Sequence, residues 1–505
     1  MGDWIAMNPA LPSVARVVCI FGTGSDVGKS WITAGLCRML TNKGLRVAPF
    51  KAQNMSNNAG VTPLGLEMGR AQIVQAHACK RAAHVDMNPI LLKPNTDTGA
   101  QVVVLGQPIG TVEAADYFSG DMESRHAIVH SALDRLRTQA DVVVVEGAGS
   151  CAEVNLRHLD LVNMPVAHYA DAPVILVADI AKGGVFAQVV GTLAVMPPED
   201  RARIAGIIIN RFRGDESLFN GGRRWLEERT GLPILGVVPW AWDIHIDQED
   251  GFSPETQLDP DPPTNRTVMS VAVIRLPHIS NFTDLNNLER HGCRVDYLSI
   301  PRDLSPYDAV LLPGTKNTRG DLGWMHERGW VQAIQAYTGT IIGLCGGFQM
   351  LGSSINDPDG IEGKPGTSIG LRCIEMDTVM HAAKVTKEVM GSVGNTAVYG
   401  YEIHCGRSTQ TATYPPLVVL DSGETEGIRL PKLIGTYIHG IFDAPGAVAA
   451  ILGSVRPDLS WPELTSHQEH QHVQFDRLAS HLETALNEDA LMRIVNAPVT
   501  EPGGA

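Results

Sequence analysis

The sequence predicts an α/β protein with two doubly wound domains. Short, continuously apolar runs alternate with helical patterns from about residue 16 to residue 240, which is typical of parallel strands buried on both faces. A segment rich in proline and acidic residues, 247–267, interrupts this alternation. A second strand–helix series begins at Val271. Strands separated by helices form β-α-β units, and these units wind into open parallel sheets.

Each domain is expected to contain its own set of strands. Strands of the first domain are predicted at residues 17–21, 47–50, 142–146, 174–178, 204–209 and 234–238. The second series gives strands at residues 271–276, 310–312, 340–344 and 433–438. We therefore predict a first domain at 1–246, a linker at 247–267, a second domain at 268–496 and a disordered tail at 497–505.

Composition excludes several classes of protein. The chain has 505 residues, which is too long for one hydrophobic core. Its net charge of -15 argues against a nucleic-acid partner and against an anionic membrane surface. The most apolar stretch, 172–196, is broken by Asp179 and Lys182, so no membrane span is expected. Eight cysteines without a Cys-x-x-Cys pair favour a reduced, cytoplasmic setting over disulfides or zinc.

A glycine-rich loop connects the first predicted strand to a helix. Backbone amides in such a loop can cradle phosphates, Lys29 would reach the terminal phosphates, and Ser30 would bind Mg²⁺. Gly22 lies six residues before Gly28 instead of the usual five, so the loop is a variant of the common pattern. The predicted ATP-binding residues of the loop are Gly22, Thr23, Gly24, Ser25, Val27, Gly28, Lys29 and Ser30.

A magnesium–nucleotide site needs carboxylates in addition to this loop. Glu146 ends the predicted strand 142–146, at the edge of the sheet where ligands bind in open parallel folds. The alternative is that Glu146 is only a solvated acid at the end of a strand. Glu67 and Asp179 are further candidates, although Lys182 could simply pair with Asp179.

An amide-rich run follows the second strand. Amides both donate and accept hydrogen bonds, which suits a polar substrate rich in carboxylates and carboxamides. The predicted substrate-binding residues of this run are Gln53, Asn54 and Asn57. A plain asparagine-rich loop is the alternative.

Cys345 lies in a glycine-flanked turn after the apolar run 340–342. A strand that ends in such a tight turn exposes its central side chain at the top of the sheet. The following helix points its amide groups at the sulfur, which favours the thiolate. A buried cysteine in an ordinary β-α turn is the alternative for this motif alone.

Cys345 needs a base and an oxyanion site to act as a nucleophile. His439 follows the predicted strand at 433–438 and is the preferred base, with His404 as its rival. Gly314 follows another predicted strand, and its amide could form an oxyanion hole together with that of Gly346.

These motifs together resemble a known family. The N-terminal half is similar to the dethiobiotin-synthetase-like P-loop domain, and the C-terminal half resembles the class I glutamine amidotransferase domain, which is flavodoxin-like. The order of the two halves resembles the corrinoid amidotransferases. Residues 50–58 (Phe-Lys-Ala-Gln-Asn-Met-Ser-Asn-Asn), 143–150, 179–186 and 280–284 resemble the cobyric acid synthase family within that group. The related a,c-diamide synthases usually carry a Gly-Pro-Asp-Tyr type of sequence where this chain has the amide-rich run.

The resemblance implies a specific reaction. It implies ATP- and glutamine-dependent amidation of the b, d, e and g carboxylates of adenosylcobyrinic acid a,c-diamide through acyl phosphates. Cys345 and His439 would release ammonia, Ser30, Glu67 and Glu146 would hold Mg²⁺, and Lys51 would contact phosphate. The implied partners are the small molecules corrinoid, L-glutamine and ATP, with a homo-oligomer left open. Because ammonia must arrive unprotonated, a shielded path between the domains is expected.

Two alternatives and one departure from the family pattern stay open. The alternatives are an a,c-diamide synthase, and a P-loop ATPase switch whose amidotransferase domain serves only for binding. Most triad amidotransferases carry a glutamate two residues after the histidine, but here Gly440 and Ile441 follow His439. Another group, such as a backbone carbonyl, must then orient His439. Asp443 is near in sequence, but no geometric reason favours it.

Overall fold

The first domain is built on a six-stranded parallel sheet. The computed structural model describes residues 14–95, 99–247, 259–264 and 266–497. The strands lie in the spatial order Ile234–Pro239, Ile204–Phe212, Val174–Asp179, Arg16–Gly22, Val142–Glu146 and Val47–Phe50. All six predicted strands are present with slightly different ends. Strand Arg16–Gly22 is central, so its carboxyl end delivers the glycine-rich loop to the middle of the sheet edge.

Helices cover both faces of this sheet, each above its own apolar core. The α-helices are Lys29–Asn42, Arg70–Ala78, Ala114–Ser119, Met122–Arg137, Met164–Tyr169, Val185–Val195, Pro198–Arg201 and Asn220–Thr230. Short 3₁₀ helices span Val85–Met87, Val154–Leu159 and Glu216–Phe219. The strands are continuously apolar because both of their faces are buried, as the sequence pattern predicts.

Two small sheets extend the first domain toward the second. One consists of Gln53–Met55, Ile90–Pro94, Gly99–Val104 and Gln107–Glu113. The other is the antiparallel pair Ala59–Val61 and Glu67–Gly69. The amide-rich run enters the first of these sheets, so it forms ordered structure above the main sheet and not a free loop.

The second domain also has a central parallel sheet. Its parallel strands are Arg294–Leu298, Ser270–Ile274, Ala309–Leu312, Thr340–Leu344 and Leu433–Thr436, in that spatial order, and Ile428–Leu430 adds an antiparallel edge. The helices are Asn286–Arg290, Thr318–Arg328, Trp330–Ala336, Gly346–Met350 and Ala447–Leu452, with a 3₁₀ turn at Phe282–Leu285. Apolar clusters lie on both faces. The prediction of two doubly wound α/β domains is therefore confirmed.

A second, largely antiparallel sheet packs beside this one. Its strands are Ser354–Asp357, Gly366–Ile369, Met376–Val393, Thr396–Gln410, Val418–Leu420 and Thr425–Glu426. The two long strands form a hairpin that reaches the first domain, where Tyr401 and Ile403 join an apolar cluster with Ala59 and Val61. The domains are therefore packed against each other through this hairpin.

The last two helices belong to the core of the first domain, which differs from the predicted boundary at residue 496. Helices His467–Ala485 and Glu488–Val495 bury their apolar faces against helix Lys29–Asn42 and its sheet. Arg38 is 1% exposed and forms a salt bridge with Asp476 on the returning helix, with 2.7 Å between Nε and Oδ1. The second domain thus ends before residue 467.

The predicted linker and tail are only partly described. Residues 248–258 and 265 of the linker and 498–505 of the tail lie outside the described residues. At the start of the predicted linker, Asp247 is buried and accepts hydrogen bonds from Asn286 and Gln471. In the part of the chain that the structure describes, no helix has the length and apolarity needed to cross a membrane.

Candidate functional site

The glycine-rich loop folds tightly around the side chain of Lys29. Its ammonium group donates to the carbonyl oxygens of Gly24 and Gly149, each at 2.8 Å. Gly28 has φ +92°, and a β-carbon there would lie 2.2 Å from the side-chain nitrogen of Asn210. Only glycine meets both the conformation and the space at this position. The loop therefore holds the Lys29 ammonium group between the backbone of Gly24 and that of Gly149 at the edge of the sheet.

Glu146 lies beside Lys29 at the end of the neighbouring strand. Its carboxylate accepts from the Ser30 hydroxyl at 2.7 Å, from the Lys51 ammonium at 3.1 Å and from the Gln75 amide. Burial raises the pKa of Glu146, but Lys51, Ser30 and Gln75 together hold it below its ordinary value. Glu146 is 1% exposed. The alternative of a solvated acid at a strand end is thus wrong.

This cluster fits a magnesium–nucleotide complex by the chemistry of its donors. Mg²⁺ prefers one or two carboxylates plus substrate phosphates over a cage made wholly of protein. Ser30 and Glu146 offer a hydroxyl and a carboxylate oxygen side by side. Across the described residues, no group of three or more His, Cys, Asp or Glu side chains could hold a metal ion. The donor set therefore suits a metal whose remaining ligands come from phosphate.

Glu67 does not join this cluster. Its carboxylate accepts from Lys93 at 2.8 Å and from Lys384 of the second domain at 2.6 Å. Burial raises the pKa of Glu67, but the two ammonium groups hold it well below its usual range. The structure places Glu67 in a buried ion-pair triad between the domains, and its binding of Mg²⁺ with Ser30 and Glu146 stays a prediction.

Asp179 and Lys182 lie near the loop but do not pair with each other. Asp179 binds Arg211 at 3.0 Å, whereas Lys182 binds Asp26 at 3.0 Å. Arg211 also reaches Asp26. These pairs tie the glycine-rich loop to the ends of two neighbouring strands, so both charges support the shape of the loop.

The amide-rich run is mostly engaged within the protein. Gln53 accepts a hydrogen bond from the Tyr117 hydroxyl, and Asn54 donates to Gln72 at 3.0 Å. Asn57 is half-buried, and its side-chain oxygen has no hydrogen-bond partner among the described residues. Of the three predicted substrate residues, Asn57 therefore has the freest acceptor.

Cys345 lies at a strained turn between strand Thr340–Leu344 and helix Gly346–Met350. Its backbone has φ +50° and ψ -107°, in a region that side chains other than glycine rarely adopt. A β-carbon on the neighbouring Gly347 would lie 2.0 Å from the carbonyl oxygen of Leu312. The turn is therefore held by close backbone packing, as in nucleophile elbows.

The structure brings His439 to Cys345 and supplies a third member. The Nδ1–H of His439 donates to Asp284 Oδ2 at 2.6 Å, and the Gly440 amide donates to Asp284 Oδ1 at 2.9 Å. Burial lowers the pKa of His439, but Asp284 and Cys345 outweigh it and raise that pKa to about 10. The arrangement therefore favours a protonated His439 imidazole, held by Asp284 beside the Cys345 sulfur.

Sequence reasoning missed the role of Asp284. The sequence gives the run 280–284 only as a family pattern. Asp284 lies 155 residues before His439, so no local motif connects the two side chains. Asp443 instead accepts from Asn287, at 2.6 Å. No backbone carbonyl is needed to orient His439, since a carboxylate does so.

The rival base and the oxyanion candidates are also placed. His404 binds Gly406 O at 2.7 Å through Nδ1 and Glu402 at 3.1 Å through Nε2, so both of its nitrogens are occupied. Gly314 and Gly346 follow the adjacent strands Ala309–Leu312 and Thr340–Leu344. A β-carbon on Gly314 would lie 3.0 Å from Cε1 of His439. Gly314 is therefore a close neighbour of the catalytic imidazole ring.

A small cavity of about 40 Å³ opens on Cys345. Lys316 and Glu362 lie in its wall, and Gln349 and Thr315 add polar groups. Burial raises the pKa of Glu362 to about 7, although Lys316 and hydrogen bonds from Thr318 and Arg319 oppose this. Lys93 of the first domain completes the wall. The cavity therefore places an acidic and a basic side chain in the wall that surrounds the thiol.

Comparison with known proteins agrees with both halves of this description. Residues 18–251 match the family described as the CobQ/CobB/MinD/ParA nucleotide binding domain. Residues 270–447 match the CobB/CobQ-like glutamine amidotransferase domain. Both matched segments end before helix His467–Ala485, which returns to the first domain.

Whole-chain relatives are also found. The chain is 48% identical over 494 residues to a cobyric acid synthase of Chlorobium phaeobacteroides (strain BS1). The alignment covers 95% of this chain and 99% of the relative. It is 47% identical over 498 residues to that of Chlorobaculum tepidum, with 95% and 98% covered. The chain therefore belongs to the cobyric acid synthase family of glutamine-dependent amidating ligases.

Proposed function

We propose that this enzyme amidates the b, d, e and g side-chain carboxylates of adenosylcobyrinic acid a,c-diamide, using ATP and glutamine, to give adenosylcobyric acid. The observation that supports the proposal is that one chain contains both a Cys-His-Asp arrangement and a glycine-rich loop with a lysine, a serine and a glutamate beside it. The former consists of Cys345, His439 and Asp284, and the latter brings together Lys29, Ser30 and Glu146. A nucleotide-binding domain and a glutamine amidotransferase domain together supply what amidation of a carboxylate needs.

In the proposed glutamine reaction, the Cys345 thiolate attacks the side-chain carboxamide carbon. The amides of Gly314 and Gly346 stabilise the oxyanion that forms, and His439 gives its proton to the leaving ammonia. The resulting thioester is then hydrolysed to glutamate with His439 as the base. Asp284 holds the imidazole ring and stabilises its charge, which is the role of the acid in other triads.

Recognition of glutamine is assigned to the charged groups in the wall of the Cys345 cavity. A free amino acid carries an ammonium and a carboxylate on the same carbon, so it needs one anion and one cation. Glu362 and Lys316 provide this pair within the cavity. Their proximity to Cys345 supports the specificity for glutamine over a peptide-bound amide.

In the proposed ATP reaction, a substrate carboxylate attacks the γ-phosphorus and ADP leaves. This step replaces an oxide leaving group by phosphate, so ammonia can then displace it at the carbonyl carbon. Ser30 and Glu146 would hold Mg²⁺, which would supply charge neutralisation of the phosphates. Lys29 and Lys51 place two further cations beside the same carboxylate and orient the terminal phosphate.

Ammonia must cross from Cys345 to the acyl phosphate without picking up a proton. Contacts between the domains beside the Cys345 cavity support a shielded route. Asn317 donates to the Asn95 carbonyl at 3.1 Å, and the Ala59 amide donates to Asn281 at 3.0 Å. The Lys93–Glu67–Lys384 triad seals the same boundary. These contacts bridge the two domains beside the Cys345 cavity, where the shielded route is proposed.

Mass spectrometry of the corrinoid product tests the proposal. Incubation with ATP, Mg²⁺ and glutamine is expected to give four successive carboxylate-to-amide mass steps. Two steps starting from cobyrinic acid would favour an a,c-diamide synthase. ATP hydrolysis without any corrinoid product would favour a switch-type ATPase. A Lys29→Ala variant should lose amidation but keep part of its ammonia release from glutamine.

A further inference from the structure

A large cleft between the domains is separate from both reaction sites. It has a volume of about 860 Å³, within the roughly 300–1,000 Å³ range of small-molecule sites. One wall is a face of helix Arg70–Ala78 that carries Arg70, Ile73 and His77. Gln75 of the same helix donates instead to Glu146 at the nucleotide site. The helix therefore stands between the cleft and the phosphoryl-transfer groups.

The charges of this interdomain cleft are mostly positive at one end. Lys80 and Arg81 line it there, and among the described residues neither has a carboxylate within salt-bridge distance. Lys80 donates to the Asn42 side chain at 3.4 Å, and Arg81 donates to the carbonyl oxygens of Val47 and Gln139 at 3.5 and 3.3 Å. Val61, Ile73 and Tyr401 contribute apolar surface to the lining, and Glu388 and Asp443 add two carboxylates on the side of the second domain. The cleft thus combines an apolar body with a cationic end.

At the inner end, two buried donor groups lack partners. The Nε of Arg70 and the Nδ1 of His467 are both buried and make no hydrogen bond among the described residues. The His467 side chain is only 8% exposed, and its Nε2 lies 3.0 Å from Asp247 Oδ2. Burial lowers the pKa of His467, but Asp247 and Asp443 outweigh it and raise the pKa. A protonated His467 would direct Nδ1–H at an acceptor.

We propose that the interdomain cleft binds a ligand with an apolar body and at least two carboxylates, namely the corrinoid of the proposed function, at a docking site outside the phosphoryl-transfer centre. One carboxylate would accept from Arg70 and His467, and another would meet Lys80 and Arg81. The identity of the ligand rests on the proposed function, whereas the need for carboxylates rests on the unpartnered nitrogens of Arg70 and His467 and on the positive charge of Lys80 and Arg81.

The cleft borders residues that support the Cys345–His439–Asp284 triad. Tyr401 and Gly440 line the cleft. The Tyr401 ring stacks on His439 with 5.4 Å between centroids, and the two backbones exchange hydrogen bonds of 3.0 and 2.8 Å. Gly440 donates to Asp284. A ligand against Tyr401 and Gly440 would therefore contact the residues that support His439.

Calorimetry on the full-length protein tests this site. The probe is cyano-cobyrinic acid a,c-diamide, compared with the same ring carrying only amide side chains and with citrate. The variants are the exposed double substitution Lys80→Ala/Arg81→Ala and the buried substitution His467→Gln, with Arg477→Ala on the same helix as control. Each cleft variant should weaken corrinoid binding at least about tenfold, because charge-assisted hydrogen bonds are lost. Binding by Arg477→Ala should stay unchanged, and the all-amide ring should bind weakly to every protein.

The outcomes separate this inference from the proposed function. If the wild type neither binds nor amidates the corrinoid, the proposed function fails. If it amidates the corrinoid while the double variant keeps wild-type affinity and KM, the docking site is wrong and the function stands. Equal binding of the all-amide ring would refute the role of carboxylates. Citrate that binds as tightly as the corrinoid would refute the macrocycle as occupant.

Discussion

The glutaminase site and the nucleotide site both gather charges at the carboxyl ends of parallel strands, but they use these charges in opposite ways. At the first site, Asp284 and Cys345 raise the pKa of His439 to about 10. At the second, burial and Lys51 outweigh Glu146 and lower the pKa of Lys29 to about 8. The glutaminase site keeps His439 protonated. At the nucleotide site, burial makes the charged form of Lys29 unfavourable until a phosphate binds beside it. The difference suits covalent catalysis at one site and phosphate binding at the other.

Removal of the nucleophile should give the largest effect, because it abolishes glutamine hydrolysis at one site and leaves ATP-dependent amidation at the other intact. Cys345→Ala is expected to lower glutamine hydrolysis by about 10⁴-fold or more, because no thioester can form. Ammonium chloride supplied directly should still support ATP-dependent amidation. Ammonia release from glutamine and corrinoid amidation are measured side by side. Ammonia release at the wild-type rate would show that Cys345 is not the nucleophile.

Removal of the triad acid should have the next largest effect. Asp284→Asn keeps the shape but loses the charge that holds the His439 imidazolium, so kcat for glutamine hydrolysis should fall by about 10³-fold. The matched control is Asp443→Asn, which removes the acid nearest in sequence to His439. A larger loss for Asp443→Asn than for Asp284→Asn would contradict the triad described here.

The Lys93–Glu67–Lys384 triad joins the regions that contain the two sites, and breaking it should cost stability. Glu67→Gln leaves two buried lysines without a counter-charge, which is expected to destabilise the protein by about 3–5 kcal/mol. Glu488→Gln removes an exposed partner of Lys43 and should cost about 0–1 kcal/mol. Denaturant unfolding compares the two variants. Equal losses would mean that the triad does not hold the domains together.

The smallest effect is a difference in pH dependence. Lys29 loses its proton as pH rises through about 8, so kcat/KM for ATP should fall above that pH by up to about tenfold per unit. His439 keeps its proton until about pH 10, so kcat/KM for glutamine hydrolysis should stay level between pH 8 and that value. Two initial-rate profiles on the same preparation provide the measurement. Coincident alkaline limbs would remove the electrostatic contrast between the sites.

Local motifs predicted much of this arrangement, and long-range packing determined the rest. The loop around Lys29, the turn at Cys345 and the position of His439 are each encoded within a few residues of a strand end. Asp284 could not be assigned because its contact with His439 depends on how distant parts of the second domain pack together. The ion pair of Glu67 with Lys384 could not be predicted from the sequence because the two residues are 317 positions apart.

The C-terminal helices give a further example of this limit. Apolar residues such as Phe475 and Leu482 predict a buried helix face, but the pattern does not say which domain buries it. The helix packs on Lys29–Asn42, where a β-carbon on Gly35 would lie 2.4 Å from Leu482. Gly35 leaves the space that Leu482 fills, and no pattern within either helix predicts this contact between residues so far apart in sequence.

The return of the C-terminal helices has a mechanical consequence. The chain passes from the first domain to the second before residue 268 and passes back before residue 467, so the second domain is inserted into the first and tethered at both ends. Residues 487 and 235 even share a backbone hydrogen bond of 2.7 Å at the far edge of the first sheet. A single proteolytic cut between residues 247 and 259 would therefore leave the two domains on pieces that remain associated.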